Sequence, residues 1–380
     1  MFEKSKIQEK KVFVGLSGGV DSAVSAALLQ KAGHEVTGVF IRIALPGYPC
    51  SAGEDQLDAM RVAAHLKIPF FTIDLSKEYK KRVFEISIKE FAKGRTPNPD
   101  ALCNREIKFG LFFDWCMEQG ADRVATGHYA RVVPEKPVRK KVLGSAPPQP
   151  DYFSSPVFLH TGADPDKDQS YFLWAVPETK LRQTLFPIGN LKKHEVRKLA
   201  GKFGLPNAAR KDSQGLCFLG DVSVDDMLHQ EISLVPGDVL NEEGAVVGKH
   251  AGVQAYTLGE RHGFELFVQS PSSAPQYVIE KDAEFNTITV SPQRYPQGTA
   301  QTVVELSEEN WIGDVVDGPC TARYRYRQTL IPAIKKDSTV TLLEPHFVPE
   351  GQSLVLYRGG RCLGGGVILT ARHGDTHRKS

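Results

Sequence analysis

Residues 14–22, Val-Gly-Leu-Ser-Gly-Gly-Val-Asp-Ser, join an apolar strand (Lys11 to Gly15) to a helix through a polar glycine turn. Adjacent Gly18 and Gly19 let successive backbone N–H groups converge on an anion, and the N-terminus of the following helix adds partial positive charge. Ser17 and Ser22 supply hydroxyls, and Asp21 either holds Mg²⁺ or orders the loop. No lysine follows Gly19, so the Walker grip on a γ-phosphate is not indicated, and what remains is a loop shaped for pyrophosphate. Sulfur chemistry has two candidates. Pro97 and Pro99 keep the approach to Cys103 extended, and Asn98 and Asp100 are good helix starters. Cys103 is therefore expected in a first helical turn, where the helix N-terminus together with Arg105 and Lys108 favours thiolate. The alternative is a small buried hydrophobe, the role expected of Cys116 among Phe112, Phe113, Trp115 and Met117. Cys217 is the second candidate, in the loop Lys211 to Phe218, where neighbouring Gly215 suggests mobility or close approach.

These residues need a scaffold, and the chain is long enough for one. Its 380 residues should hold two or three domains, and 41% hydrophobic with 24% charged residues is ordinary for a globular protein that buries a sizeable core. The formal net charge of +2 neither demands nor excludes a nucleic-acid partner, so any basic surface must be local. Cysteines 50, 103, 116, 217, 320 and 362 are scattered without a C-x-x-C pair, against a structural zinc, an iron–sulfur site or a disulfide framework; no metal-ligand set is expected. No apolar run approaches the ~18 residues of a membrane span, and the first residues lack a signal or transit pattern. A cytoplasmic protein without membrane contact, and a monomer, is expected.

In chain order, helix Ser22 to Ala32 stops at Gly33, strand Glu35 to Ile43 leads to a loop (44–53), helix Asp55 to Leu66 and strand Pro69 to Leu75. Strands alternating with helices imply a parallel, doubly wound sheet, whose ligands lie beyond the carboxyl ends of its strands. Helix Lys77 to Lys93 precedes the Cys103 segment, and strand Asp122 to Thr126 ends in Gly127-His128-Tyr129. His128 there either meets a ligand or is a hydrogen-bonded structural histidine. Pro134 to Pro156, with Arg139, Lys140 and Lys141, reads as a solvated hairpin or loop, and Phe158 to Trp174 as the segment that closes the sheet region. Lys192 to Phe203 is an amphipathic helix. From about Val222 a small, mostly β unit begins, and from about Gln301 short runs (Cys320 to Tyr326, Ser338 to Leu343, Ser353 to Tyr357, Gly364 to Ala371) predict a small antiparallel barrel. Domains are thus expected at 1–221, 222–300 and 301–380. Alternation in Arg323-Tyr-Arg-Tyr-Arg-Gln328 offers phosphate contacts and stacking platforms for RNA, or else a solvated strand face.

The run Ser17 to Ser22 resembles the PP-loop of the ATP pyrophosphatases. Further words in order, Gly94-Arg-Thr-Pro-Asn-Pro-Asp100, Cys103-Asn-Arg-Glu-Ile-Lys-Phe109, Ala125-Thr-Gly-His-Tyr129, Lys167-Asp-Gln-Ser-Tyr-Phe-Leu173, Gly215-Leu-Cys-Phe218 and Tyr326-Arg-Gln328, resemble the tRNA-specific 2-thiouridylases over nearly the whole chain. The resemblance implies an α/β PP-loop domain (adenine nucleotide alpha hydrolase-like), a central α+β domain and a C-terminal antiparallel β-barrel that contacts tRNA. It implies that ATP, with Mg²⁺, adenylates O2 of the wobble uridine (position 34), and that persulfide sulfur then replaces the activated oxygen as AMP leaves. It places the nucleotide on Gly15, Leu16, Ser17, Gly18, Gly19, Val20, Asp21 and Ser22, with Ile41 and Gly127 on the adenine side. Cys217 would carry the persulfide, Cys103 would pair with it as sulfur departs, and Asp100 would be acid/base. Asn98, Pro99 and Asp100 would meet the target base, and His128, Lys167, Asp168, Gln169, Arg325, Tyr326 and Gln352 the tRNA. Implied partners are tRNA (glutamate, glutamine and lysine acceptors) and a sulfur-relay protein or cysteine desulfurase. Two rivals stand beside it. Another PP-loop enzyme adenylating a small carbonyl substrate would need no cysteine pair, and a non-catalytic RNA-binding protein would need no nucleotide loop.

Overall fold

The computed structural model describes residues 9–48, 52–134, 157–211, 217–220, 222–268 and 274–375. Val12, Val14, Val36 and Val39 are fully or almost fully buried, as expected of strands covered on both faces. These strands form a five-stranded parallel sheet in the order Phe70–Asp74, Glu35–Arg42, Lys11–Gly15, Arg123–Ala125, Thr184–Leu185. The chain leaves Lys11–Gly15 for one neighbour and later returns on its other side, so the order reverses there. A crevice opens at the carboxyl ends of Lys11–Gly15 and Arg123–Ala125. Helices Val20–Lys31 and Lys193–Lys202 cover one face, through Val24, Leu29, Val196 and Ala200. The other face packs on Cys103, Ile107, Phe112, Phe113 and Cys116.

The expected doubly wound sheet is therefore present, with one correction. Phe158 to Trp174 does not close it. Strand Val157–Thr161 pairs antiparallel with Ala130–Pro134 and, through His160 opposite Arg361, joins the C-terminal sheet. The closing strand is Thr184–Leu185, two residues long and too short to leave a pattern. Residues 135–156, most of the proline-rich excursion with its basic cluster, lie outside the described residues.

The central unit is a five-stranded sheet whose strand Gly237–Leu240 pairs parallel with Thr287–Ser291 and antiparallel with Val246–His250. Helix Val224–Glu231 precedes it but buries Met227 and Leu228 in the first domain's core. In the last unit Thr299–Trp311 pairs with both Thr339–Leu342 and Arg361–Asp375, which closes six antiparallel strands into a barrel. The strand expected over Cys320 to Tyr326 ends at Arg323. Gln328 Oε1 accepts the N–H groups of Tyr324 and Arg325, and Arg327 sits at φ +62°, so the chain turns instead of extending the alternation. Among the described residues no helix is long and apolar enough to cross a membrane.

One buried ion pair locks the barrel to the parallel-sheet domain. Arg323 Nη2 lies 2.6 Å from Asp168 Oδ2, with both side chains more than nine-tenths buried, and Arg323 also donates to the hydroxyls of Tyr357 (2.8 Å) and Ser170 (3.3 Å). Asp168 accepts the N–H groups of Gly162 and Ser170 besides. Arg323→Met strands that carboxylate and is expected to cost about 3–5 kcal/mol, read as a lowered denaturation midpoint. The double variant Arg323→Met/Asp168→Leu should recover part of the loss.

Candidate functional site

The glycine turn is held from all sides. Ser17 N–H donates to Ser22 Oγ (3.2 Å), Ser22 Oγ donates to the Gly19 carbonyl (3.1 Å), and Asn207 Nδ2 donates to the Gly18 carbonyl (2.7 Å). Gly18 has φ +78°, and a Cβ there would stand 2.5 Å from the Asp55 carbonyl. A Cβ on Gly127 would meet Ser22 N at 2.7 Å, so the strand end Arg123–Ala125 can approach the helix N-terminus only through glycine. Asp21 accepts Lys193 Nζ on both oxygens (2.8 Å each) and the Tyr129 hydroxyl (2.8 Å). The loop order expected of Asp21 is thus visible.

A cavity of about 600 Å³ opens over this turn. Gly15, Leu16, Ser17, Asp21 and Ser22 line it together with Ile41 and Gly127, while Gly18 and Gly19 lie within the turn itself and Val20 opens the helix. Leu16, Val39, Ile41 and Phe112 give an apolar wall that suits a purine, and Arg210, Lys211 and Lys108 bring cationic groups that suit phosphate. His128 and Gln169 also face the cavity. His128 is buried, its Nδ1 2.7 Å from Thr126 Oγ1, and burial plus the nearby Lys108 charge push it well below the ordinary histidine range, so the ring is neutral.

Cys217 and Phe218 line the same cavity. Cys103 Sγ donates to Cys217 Sγ across 3.6 Å, joining two residues 114 positions apart. Asp100 Oδ1 accepts the Cys217 N–H (3.3 Å), and the Tyr79 hydroxyl donates to the Cys217 carbonyl (3.0 Å). The Tyr79 ring meets the Phe218 ring edge-on at 6.1 Å. Phe218 itself sits at φ +70°, a strained conformation for an aromatic residue. The Cys217 thiol is lowered to about 7, first by the Cys103 hydrogen bond and then, against burial, by the Lys108 charge. Here the sequence expectation is corrected. Cys103 ends the short helix Pro99–Cys103 and is fully buried, and desolvation raises its thiol well above the ordinary range. The thiolate belongs to Cys217. Burial also raises Asp100.

Lys108 reaches this cluster because residues Asn104–Leu111 form a π-helix. In an α-helix, positions five apart point about 140° away from each other; the wider turn of i→i+5 bonding brings them back toward one face. A second π-helical segment, Lys80–Phe84, directly follows Tyr79. Both flank the sulfur pair.

The remaining expected contacts scatter. Asn98 caps its helix, accepting from Ala101 N–H and donating to Ser353 Oγ, with Pro99 in the first helical position. Gln169 Oε1 accepts from Tyr129 N–H. Lys167 is half-buried on the same loop. Asp168 is no RNA-facing group, because its carboxylate is spent on Arg323 inside the domain seam. Arg325 donates to the Leu258 carbonyl of the central unit, Tyr326 packs on Phe172 at 4.8 Å, and Gln352 accepts from the Tyr171 hydroxyl. These three belong to domain junctions, a role the Arg–Tyr alternation did not suggest. Sequence reasoning missed Tyr79, Lys193 and Arg210, the last of which pairs with Asp55 and Asp58 beside the turn. A signal existed for Lys193 alone: it opens a helix, where the macrodipole disfavours a cation, so it must serve a partner elsewhere.

The family described as tRNA methyl transferase HUP domain matches residues 10–221, the tRNA methyl transferase PRC-barrel domain matches 225–292, and the aminomethyltransferase beta-barrel domain matches 301–368. The sequence is 38% identical to the tRNA-specific 2-thiouridylase MnmA of Enterococcus faecalis over 371 residues, covering 94% of this chain and 95% of that protein. The same enzyme of Lactococcus lactis is 38% identical over 376 residues (96% of each chain). That of Chromobacterium violaceum is 39% identical over 374 residues (95% of this chain, 92% of the other). A solved 4-thiouridine synthetase–RNA complex with bound ATP is 18% identical, with a TM-score of 0.34 over 59% of this chain and 50% of that one.

The Gly127 contact has a direct consequence. Gly127→Ala must push the strand end away from Ser22 N, and nucleotide affinity measured by calorimetry is expected to fall by roughly tenfold or more, about 1.4 kcal/mol. The circular dichroism spectrum should be unchanged.

Proposed function

The chain belongs to the tRNA-specific 2-thiouridylase family, a family of tRNA sulfurtransferases, and on that premise we propose that it adenylates O2 of the wobble uridine of tRNA and replaces that oxygen with sulfur carried on Cys217. The observation that carries this reading is the placement of Cys217 on the wall of the cavity floored by the glycine turn, with Cys103 Sγ 3.6 Å away. Activation and sulfur delivery then occur in one space. Transfer of a methyl group, or activation of a small carbonyl compound, would leave this sulfur pair without a task.

ATP enters as substrate with its magnesium ion. The backbone of residues 15–22 receives pyrophosphate, Arg210 and Lys211 face the phosphates, and Leu16, Ile41 and Gly127 border the base. Asp21, already fixed by Lys193 and Tyr129, would be the loop carboxylate that holds that ion. Carbonyl oxygen is a poor leaving group, and its attack on the α-phosphorus, with loss of pyrophosphate, converts it into AMP. Cys217, partly exposed and more acidic than its neighbour, takes sulfur from a persulfide donor, a relay protein or cysteine desulfurase. Cys103 closes a disulfide with Cys217 as the sulfur leaves, and Asp100 exchanges protons beside them. The wobble base reaches Asn98, Pro99 and Asp100 splayed out of its loop, while Lys167, Gln169, Arg325, Tyr326 and Gln352 border the seam along which tRNA of the glutamate, glutamine and lysine acceptors would lie.

Mass analysis of the wobble nucleoside after incubation with tRNA, ATP and a persulfide donor tests this directly. Cys103→Ser and Cys217→Ser should each abolish the sulfur gain while ATP binding persists. Cys116→Ser and Cys362→Ser, both buried and away from the cavity, should keep it. Full thiolation by Cys217→Ser would overturn the assignment.

A further inference from the structure

Lys108 is a half-buried ammonium among three acidic groups. It shares the cavity wall with Cys217 and Phe218, stands 5.5 Å over the Phe218 ring, and its charge helps to lower the Cys217 thiol. Cys103 and Asp100, on the helix it extends, and neutral His128, at the strand end opposite, feel its charge, while Tyr79 from the preceding helix faces the two thiols and Asp100. Arg105, the other cation of this segment, pairs with Glu106 and Glu308. One ammonium balances one anion, and a second anion in the same poorly solvated corner is held protonated by desolvation and like charge.

We propose that Lys108 is a catalytic residue that serves as the single counter-ion of both thiols in succession, so that Cys103 becomes a nucleophile only once the sulfur on Cys217 is uncharged. This rests on the thiolation proposed above. In the resting state the anion is the Cys217 thiolate. It attacks the outer sulfur of a donor persulfide; the new S–S bond forms, the donor's breaks, and the donor leaves as a thiol with the proton, so the anion stays on Cys217 as a perthiolate. The perthiolate bonds to C2 of the adenylated uridine, the C2–O bond breaks, and AMP takes the electron pair. The Cys217–S–S–C2 linkage is now neutral and Lys108 has lost its anion. Cys103 ionises in its place, its proton matching the one that N3 of the base regains. Its thiolate attacks Cys217 Sγ across the 3.6 Å gap, and the electron pair of the broken S–S bond leaves on the thiouridine sulfur. Two thiols have been oxidised to a disulfide, the sulfane sulfur has been reduced, and a thiol reductant reopens the site. The order has a use: Cys103 cannot attack a Cys217 that still carries charge, so sulfur is not shed before a base has received it.

The test needs neither tRNA nor nucleotide, so its failure leaves thiolation itself standing. Methyl methanethiosulfonate converts Cys217 to a neutral methyl disulfide, a mimic of the linkage to C2. In the untreated protein, iodoacetamide should label Cys217 with a midpoint near pH 7, reactivity being present above that pH and lost below it, while Cys103 stays unlabelled. In the capped protein, Cys103 should displace methanethiol and give the Cys103–Cys217 disulfide. In Lys108→Met the labelling midpoint should rise by about one unit or more, and the methyl disulfide should persist with collapse slowed by roughly tenfold or more. Lys108→Arg should restore both. Labelling of Cys103 in step with Cys217 in the unmodified protein would overturn the proposal, as would collapse at the wild-type rate in a Lys108→Met protein that keeps the wild-type circular dichroism spectrum. Should Lys108→Met fail to fold, the labelling order in the unmodified protein and the behaviour of Lys108→Arg decide it.

Discussion

Drawing an ammonium even partly out of water is costly, and the protein does this at Lys108 beside two thiols and a carboxyl. That burial is tolerable only while one anion stays within reach, and the surrounding structure can be understood as the means of keeping it there. The π-helical turn at Asn104–Leu111 brings Lys108 back toward the face of Cys103. Tyr79 and Asp100 grip the Cys217 backbone from either side. Phe218, next to Cys217, holds an unfavourable φ of +70°. Each is a local cost offset by one electrostatic contact.

The nucleotide side obeys a different constraint, that of close approach. A strand order that reverses beside Lys11–Gly15 leaves a crevice, and glycines at 18 and 127 allow backbone to come where any side chain would collide. The two sites meet because Cys103–Phe112 packs on the face of that same sheet, so Lys108 and Phe112 border the same cavity as the glycine turn.

Neither unit after the first is a mere appendage. The hairpin of Ala130–Pro134 and Val157–Thr161 leaves the catalytic domain and extends the barrel's sheet. The segment that leads to Cys103 is held from both sides: Thr96 N–H donates to the Glu350 carbonyl and Asn98 to Ser353 of the barrel, while Lys281 of the central unit donates to the Gly94 carbonyl. Burial brings Lys281 down to about 8. Forces applied to the barrel by a bound macromolecule would therefore bear on the backbone that carries Asp100 and Cys103.

Residues 15–22, the parallel sheet, the barrel and the two thiols are all legible in the sequence, because each rests on local rules: strand–glycine–helix for an anion site, alternating strands and helices for a parallel sheet, a lone cysteine among polar neighbours. What local rules could not supply was the state and company of those residues. Cys103 looked ionised from its helix-start surroundings, yet complete burial reverses the sign and hands the charge to Cys217. Asp168, Arg325 and Gln352 stood out only as polar groups, and the fold shows each of them also fastening one domain to another. Tyr79, Lys193 and Arg210 carry no motif, and only the packing of distant segments shows what they touch. Sequence determined which chemistry the chain could perform; the tertiary structure decided which atom holds the charge, because desolvation and the position of a single half-buried cation are properties of the packed interior and of no segment alone.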